Sequence, residues 1–341
     1  MATKEEDVVT TLFVANTHTQ LLFFTTDGMV YKLKTWRLPQ GGRTSKGKAI
    51  INILPIPVGV SIAAIMPVDR AEDEWDDLQV VFATSAGTVR RNKLSDFTNV
   101  KSNGKIAMKF EDEHAETTLI NARIASNDDD VMLTTNSGRA IRFPATDVRV
   151  FNSRASVGVR GIKLNGDDKV VSMSIIRHFD ATSEERVAYL KMRRAMAGLT
   201  DEDAGEDEDA SVDPNATIDQ SRYAEMSAAE NLILTISAQG SGKLSSSHDY
   251  PVRGRGGLGV TAMDKAMRGG EIVACFPVEM DDQIMLATSK GQSIRVPVEG
   301  ISFRSRSAGG VKVFDTGKNE VVVSVAWIAD QGDEDAQAVE E

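Results

Sequence analysis

Five copies of one short phrase limit this 341-residue chain to an architecture of repeated units. Each copy ends on glycine: TTDG at Gly28, TSAG at Gly87, TNSG at Gly138, SAQG at Gly240 and TSKG at Gly291. A second glycine follows after 19, 17, 20, 19 and 19 residues, at Gly47, Gly104, Gly158, Gly259 and Gly310. β-Branched and aromatic runs flank each phrase, as LLFF and MVYKL do the first and IMLA and QSIRV the last. Such flanks around a glycine free to take positive φ predict β-hairpins. The second glycine opens a further extended run (KAIINIL, KIAMKF, VRGIKL, VTAM, VKVF), and runs such as SIAAIMPV and VVSMSII complete about four strands per unit. Turn glycines lie 59, 51, 102 and 51 residues apart. Four-stranded units of ~40–50 residues predict an all-β, propeller-like disc, with five blades visible.

The 102-residue interval holds no extra turn phrase. Thr182 and Glu185 form a T-x-x-E capping box ahead of VAYLKMRRAMAGL, and Gly198 is placed to stop a helix. DEDAGEDEDASVDPNATIDQ follows, too acidic and too poor in apolar residues to fold alone. Residues 180–230 are therefore expected to be an insertion, a helix plus a disordered acidic loop, within a body spanning 5–329. Residues 330–341 read as an acidic disordered tail.

Net charge is −11, which on its face opposes nucleic-acid binding. The acids, however, are segregated: residues 200–230 hold eleven acids and one arginine, and residues 330–341 hold six acids and no base. Setting both segments aside leaves 33 acids against 38 Lys and Arg, so the repeat-bearing body is basic. Either acidic segment could compete with a polyanion for that body, or merely aid solubility. The single cysteine, Cys275, allows no internal disulfide and fits a reducing cytoplasm. Four scattered histidines offer no zinc-ligand spacing, so neither metal nor cofactor is expected. No apolar run approaches the roughly 20 residues of a membrane span, and no signal peptide opens the chain.

The basic residues recur in phase. Four positions after the turn glycines stand Lys32, Arg91, Arg142, Leu244 and Arg295, with Lys243 beside the apolar exception. The segments leading to the second glycine are short and basic: GGRTSKG (Arg43, Lys46), VKSNG (Lys101), SRASVG (Arg154), RGRGGLG (Arg253, Arg255) and RSRSAGG (Arg304, Arg306). Lys48, Lys105, Arg160 and Lys312 sit one or two residues beyond. Any single surface arginine is commonly just solvated, but solvated loops carry both signs, and none of these five segments contains an acid. The pattern predicts a polyanion-binding surface whose cations release counterions from phosphate. Aromatics are scarce near it and no recognition helix is apparent, so duplex binding without sequence reading is expected. A propeller that binds protein partners is the alternative.

Three motifs are discounted. Gly254, Gly256 and Gly259 satisfy G-x-G-x-x-G, but VTAM after them reads as strand rather than helix. GSGKLS lacks the leading glycine of a phosphate loop and has leucine at the magnesium-binding position. Arg222–Tyr223, an arginine–tyrosine pair, lies in the acidic insertion and reads as part of a short helix. No nucleophile, base and orienting group occur together, so no catalytic residue is expected.

DVVTTLFVANTHTQLLFFTTDGMVYKLKTWRLP, SVGVRGIKL, KVVSMSII and QIMLATSKGQSIRV carry a resemblance across residues 5–180 and 230–328. The chain resembles the C-terminal DNA-wrapping domains of bacterial DNA gyrase, related to those of topoisomerase IV; the acidic tail favours the former. The resemblance implies a β-pinwheel whose blades exchange strands and whose basic outer rim, made of the residues named above, bends duplex DNA. It further implies an accessory role in negative supercoiling beside the rest of the gyrase A protein and the gyrase B protein, in the bacterial cytoplasm at the nucleoid. The family's box, Q-[KR]-R-G-G-[KR]-G, is missing from the sequence. Five blades are visible where the family has six, so the box-bearing first blade is expected to be lacking.

Overall fold

The computed structural model describes residues 11, 13–41, 47–110, 116–153, 156–198, 213, 216–265 and 269–328. In the first repeat β1 (Gln20–Thr25) turns into β2 (Met29–Lys34), and β3 (Ile62–Val68) flanks β1. The second repeat contributes β4 (Gln79–Thr84), β5 (Thr88–Lys93), β6 (Lys105–Ile106) and β7 (Leu119–Ala125). The third has β8 (Asp129–Thr135), β9 (Arg139–Pro144), β10 (Val159–Arg160) and β11 (Val170–Arg177). The fourth has β12 (Leu232–Ser237), β13 (Ser241–Ser246), β14 (Val260–Thr261) and β15 (Ile272–Val278). The fifth has β16 (Gln283–Thr288), β17 (Ser293–Pro297), β18 (Val311–Lys312) and β19 (Val322–Ile328).

Each turn phrase forms the tip of an antiparallel hairpin, and all five turn glycines have φ between +76° and +83°. A side chain is penalised in that conformation, whereas glycine enters it freely. Gly28 has a second reason to lack a side chain: a Cβ there would lie 2.3 Å from the Met108 carbonyl oxygen, in the next repeat.

That close approach reflects strand exchange. The sheets run β3-β1-β2-β6, β7-β4-β5-β10, β11-β8-β9-β14 and β15-β12-β13-β18, so each fourth strand comes from the following repeat. The register is shared: Met29 pairs with Ile106, Thr88 with Arg160, Arg139 with Thr261 and Ser241 with Lys312. The fifth sheet, β19-β16-β17, has three strands among the described residues. Contrary to the sequence expectation, KAIINIL forms no strand; Ile50–Asn52 is a 3₁₀ turn. No hairpin of an earlier repeat lies beside it among the described residues, and an extended segment without a partner leaves its backbone groups unpaired.

The two faces of each hairpin pack on different neighbours. Leu22, Phe24 and Val30 meet Val80, Phe82, Leu94 and Phe97 of the second blade, with Phe24 and Phe82 edge-to-face at 5.5 Å. Val81, Ala83 and Val89 turn the other way, onto Val131, Leu133, Ile141 and Phe143 of the third. Analogous clusters join the third blade to the fourth and the fourth to the fifth. Hydrophobic burial is therefore concentrated between blades, where each large apolar side chain contributes about 1.5–3 kcal/mol.

Helix α1 (Ser183–Met196) begins at the Thr182–Glu185 capping box and is followed by Gly198 at φ +69°. A second helix, α2 (Gln220–Ala228), packs beside it. Tyr189 stacks on Tyr223 at 5.0 Å and meets the His248 ring edge-on, which seats the helices against the fourth blade. Arg222 is held by Glu185 at 2.8 Å and Glu225 at 2.9 Å, an ion-pair role within the insertion. Most of the acidic loop, and the tail from 330, lie outside the described residues.

Candidate nucleic-acid interface

The cations four positions after the turn glycine separate into two groups. Lys32, Arg91, Arg142 and Leu244 stand directly opposite Leu22, Val81, Met132 and Leu234, all buried residues. Opposed residues in an antiparallel pair share a face, and this face packs on the next blade. Lys32 accordingly pairs with Glu72 at 2.8 Å and also donates to the Thr98 carbonyl. Arg91 is 2% exposed and donates to the Ala145 carbonyl at 2.8 Å and to Asn127. Arg142 is 4% exposed, 2.7 Å from Asp130, and donates to the Ser247 carbonyl at 2.8 Å. Burial pulls the pKa of both guanidinium groups down, and Asp130 opposes this at Arg142. These three cations are staples between blades. Arg295 holds the same position in the fifth blade, which has no donated strand among the described residues, and is exposed.

Two further expected surface residues are interior. Lys243 is fully buried, and its Nζ donates to the carbonyls of Ser305 at 2.8 Å, Ala308 at 2.6 Å and Arg306. Arg306 is 4% exposed and donates to the Asp249 carbonyl at 2.8 Å and to the Thr261 carbonyl. For Lys32, Arg91, Arg142, Lys243 and Arg306 the expectation of a solvent-facing cation is thus corrected. Each instead donates to backbone carbonyls inside the fold.

The remaining candidates lie outward. Lys48, Lys101, Arg160, Arg253, Arg255, Arg295 and Lys312 are exposed, and Lys105 and Arg304 are half-buried. Lys105 donates to the Asp96 carbonyl at 2.8 Å, and Lys312 pairs with Asp315 at 2.9 Å. Arg43, Lys46 and Arg154 fall outside the described residues.

Strand exchange brings cations of different repeats together. At the junction of the third and fourth repeats Arg255 donates to the carbonyls of Asp147 and Arg160, each at 3.0 Å. The Gly256 amide donates to the Gly161 carbonyl at 2.6 Å, and the Lys163 amide to the Gly257 carbonyl at 2.8 Å. Arg160, Lys163, Arg253 and Arg255 are therefore neighbouring exposed cations. Arg149 is also exposed, its guanidinium 4.3 Å from the centroid of the Phe151 ring. At the first junction Arg37 and Lys101 help line a cleft of about 460 Å³.

Sequence reasoning missed Arg37, Lys109, Arg149 and Lys163. Lys109 and Lys163 share one offset, five residues after Gly104 and Gly158, and are both exposed, so the repeat itself could have found them. No comparable regularity marks Arg37 or Arg149.

Residues 19–69, 79–118, 129–177, 231–279 and 282–326 match the family model described as "DNA gyrase C-terminal domain, beta-propeller". The DNA gyrase A protein of Granulibacter bethesdensis is 42% identical over 331 residues, covering 94% of this chain and 35% of that protein. Its counterpart in Rickettsia bellii is 39% identical over 337 residues, covering 99% of this chain and 37% of that protein. The chain thus spans about a third of the length of these curated relatives. Among solved structures, the C-terminal domain of DNA topoisomerase IV superposes with a TM-score of 0.67 at 19% identity, over 92% of this chain and 80% of that one. A DNA gyrase A C-terminal domain gives a TM-score of 0.64 at 20% identity, over 92% and 84%. At these identities the structural likeness speaks for the fold alone.

Proposed function

Because this chain belongs to the DNA gyrase C-terminal beta-propeller family, we propose that it binds and bends duplex DNA along its blade junctions without reading sequence. The supporting observation is the gathering of Arg160, Lys163, Arg253 and Arg255, all exposed, at one junction of exchanged strands. Their density matters because bending a 20–30 bp site costs on the order of 1–6 kcal/mol, which many phosphate contacts must offset. Recurrence of exposed cations at other junctions, such as Lys101 and Lys312, extends the contact along the DNA path.

The role is accessory rather than catalytic: the module would present bent DNA to the passage machinery of a type IIA topoisomerase and support negative supercoiling. The partners in that reading are the remainder of the gyrase A protein and the gyrase B protein, in the bacterial cytoplasm. We take residues 5–329 as the DNA-wrapping body, 180–230 as its insertion and 330–341 as an acidic tail. Titrating a long duplex against the chain at several salt concentrations tests the binding. Log affinity should fall linearly with log salt, by about 0.9 per phosphate contact, and change little with sequence. A salt-independent affinity would rule the reading out.

A further inference from the structure

Two buried cations stand three positions after a turn glycine and reach the same point of the next repeat. Arg90 follows Gly87, and its guanidinium donates to the Ser156 carbonyl at 2.6 Å and to the Ala107 carbonyl. Lys243 follows Gly240 and takes the carbonyls of Ser305, Arg306 and Ala308. Ser156 and Ala308 each lie two residues before the second glycine, Gly158 or Gly310. Both cations are 0% exposed. The equivalent carbonyl at the junction of repeats three and four, that of Gly257, is held by the Lys163 amide at 2.8 Å.

The segment Lys243 grips passes through the protein interior at Ser305 and Arg306 and emerges at Lys312. The grip closes on both sides of Arg306, whose own amide donates to Asp249 at 2.5 Å. Three carbonyls, those of Ser305 and Arg306 buried, converge on one point, which suits a donor with several hydrogens, and an ammonium has three. Burial opposes the charged form of Lys243, and the nearby Asp249 carboxylate favours it.

We propose that Lys243 is a positioning residue, which orders the Ser302–Lys312 segment so that Arg304 and Lys312 face DNA at the junction of repeats four and five. The ordering is a property of the chain alone; its consequence for DNA rests on the function proposed above.

The test compares Lys243→Met, which keeps chain length without donors, with Lys243→Arg, the residue type that Arg90 places at the same register. Met173→Ala, in a different core cluster, serves as a control for general destabilisation. Amide hydrogen exchange and salt-dependent duplex binding are measured on all of them. Lys243→Met should speed exchange at least tenfold at Arg306–Val311 but not across the other blades. It should also weaken duplex binding several-fold and make the salt slope shallower by about one contact. Lys243→Arg should restore both. The proposal is overturned if the exchange increase in Lys243→Met is spread as in the Met173→Ala control. It is equally overturned if Lys243→Arg behaves like Lys243→Met, or if the loop loosens while affinity and slope stay at wild-type values. Should Lys243→Met not fold, Lys243→Gln, with only two amide hydrogens for three carbonyls, is judged by the same criteria. If the wild type binds no duplex, the proposed function fails, and the exchange data still decide whether Lys243 orders the segment.

Discussion

Arg142 Nε lies 2.7 Å from Asp130 Oδ2, with the arginine 4% and the aspartate 0% exposed. The pair links the hairpin of the third blade to the fourth, since Arg142 also donates to the Ser247 carbonyl. Removing one partner would leave the other charge buried without compensation, which costs about 3–5 kcal/mol. Asp130→Ala should show that loss in chemical denaturation. Adding Arg142→Met should recover part of it, because neighbouring changes are not additive when they belong to one ion pair.

The other carboxylate oxygen of Asp130 meets His178 Nδ1 at 2.8 Å, and His178 Nε2 meets Asp180 at 3.0 Å. Partial burial opposes protonation of the ring, but hydrogen bonds to Asp130 and Asp180 outweigh it and raise the pKa. The folded state therefore binds the proton more tightly than the unfolded one. The resulting stabilisation is complete below the ordinary histidine value of about 6.5 and is lost as pH rises through the raised value. Thermal unfolding between pH 6 and 9 should show a decline in stability that His178→Gln lacks. Parallel profiles for the two proteins would contradict this.

Gly259 and Gly254 belong to the same glycine-rich segment, yet their substitutions should differ sharply. Gly259 has φ +69°, and a Cβ there would stand 2.2 Å from the Ala140 carbonyl oxygen. Around Gly254 nothing lies within 4 Å of a Cβ. Gly259→Ala combines left-handed strain, of order 1–3 kcal/mol, with a clash against backbone that the β14–β9 pairing holds in place. It should lower the melting temperature strongly, while Gly254→Ala should change stability by no more than about 0.5 kcal/mol.

The hairpins were legible in the sequence because their strands are five or more residues long and turn on a glycine of fixed context. The runs after the second glycine were read as strands, but the hairpin each joins was not visible in the residues themselves: the paired stretches Val159–Arg160, Val260–Thr261 and Val311–Lys312 are two residues each, too short for an alternation to show a register. The resemblance, not the periodicity, supplied strand exchange. The repeated cations exposed a different limit, since an offset from a turn fixes the face of a strand but not what covers it. Leu244 held the missing clue. A position that carries arginine or lysine in three stapled blades and leucine in a fourth suits a buried seam, where either a packed side chain or a carbonyl-bound cation fits.

That distinction separates two classes of cation by experiment. Lys163 and Arg253 are exposed at the junction of repeats three and four, and only their backbone amides join the interblade hydrogen bonds, to Gly257 and Arg142. Lys163→Ala and Arg253→Ala should each make the salt slope of duplex binding shallower by about 0.9. Neither should shift stability by more than about 0.5 kcal/mol. Arg91→Ala should do the reverse: its loss removes the buried guanidinium that donates to the Ala145 carbonyl and to Asn127, at about 1.5–3 kcal/mol for a charge-assisted hydrogen bond, and removes no solvent-facing charge. Fluorescence anisotropy across a salt series, paired with denaturant unfolding of the same variants, checks both halves. Equal slope changes for Arg91→Ala and Arg253→Ala would show that burial does not decide which cations meet the phosphate backbone.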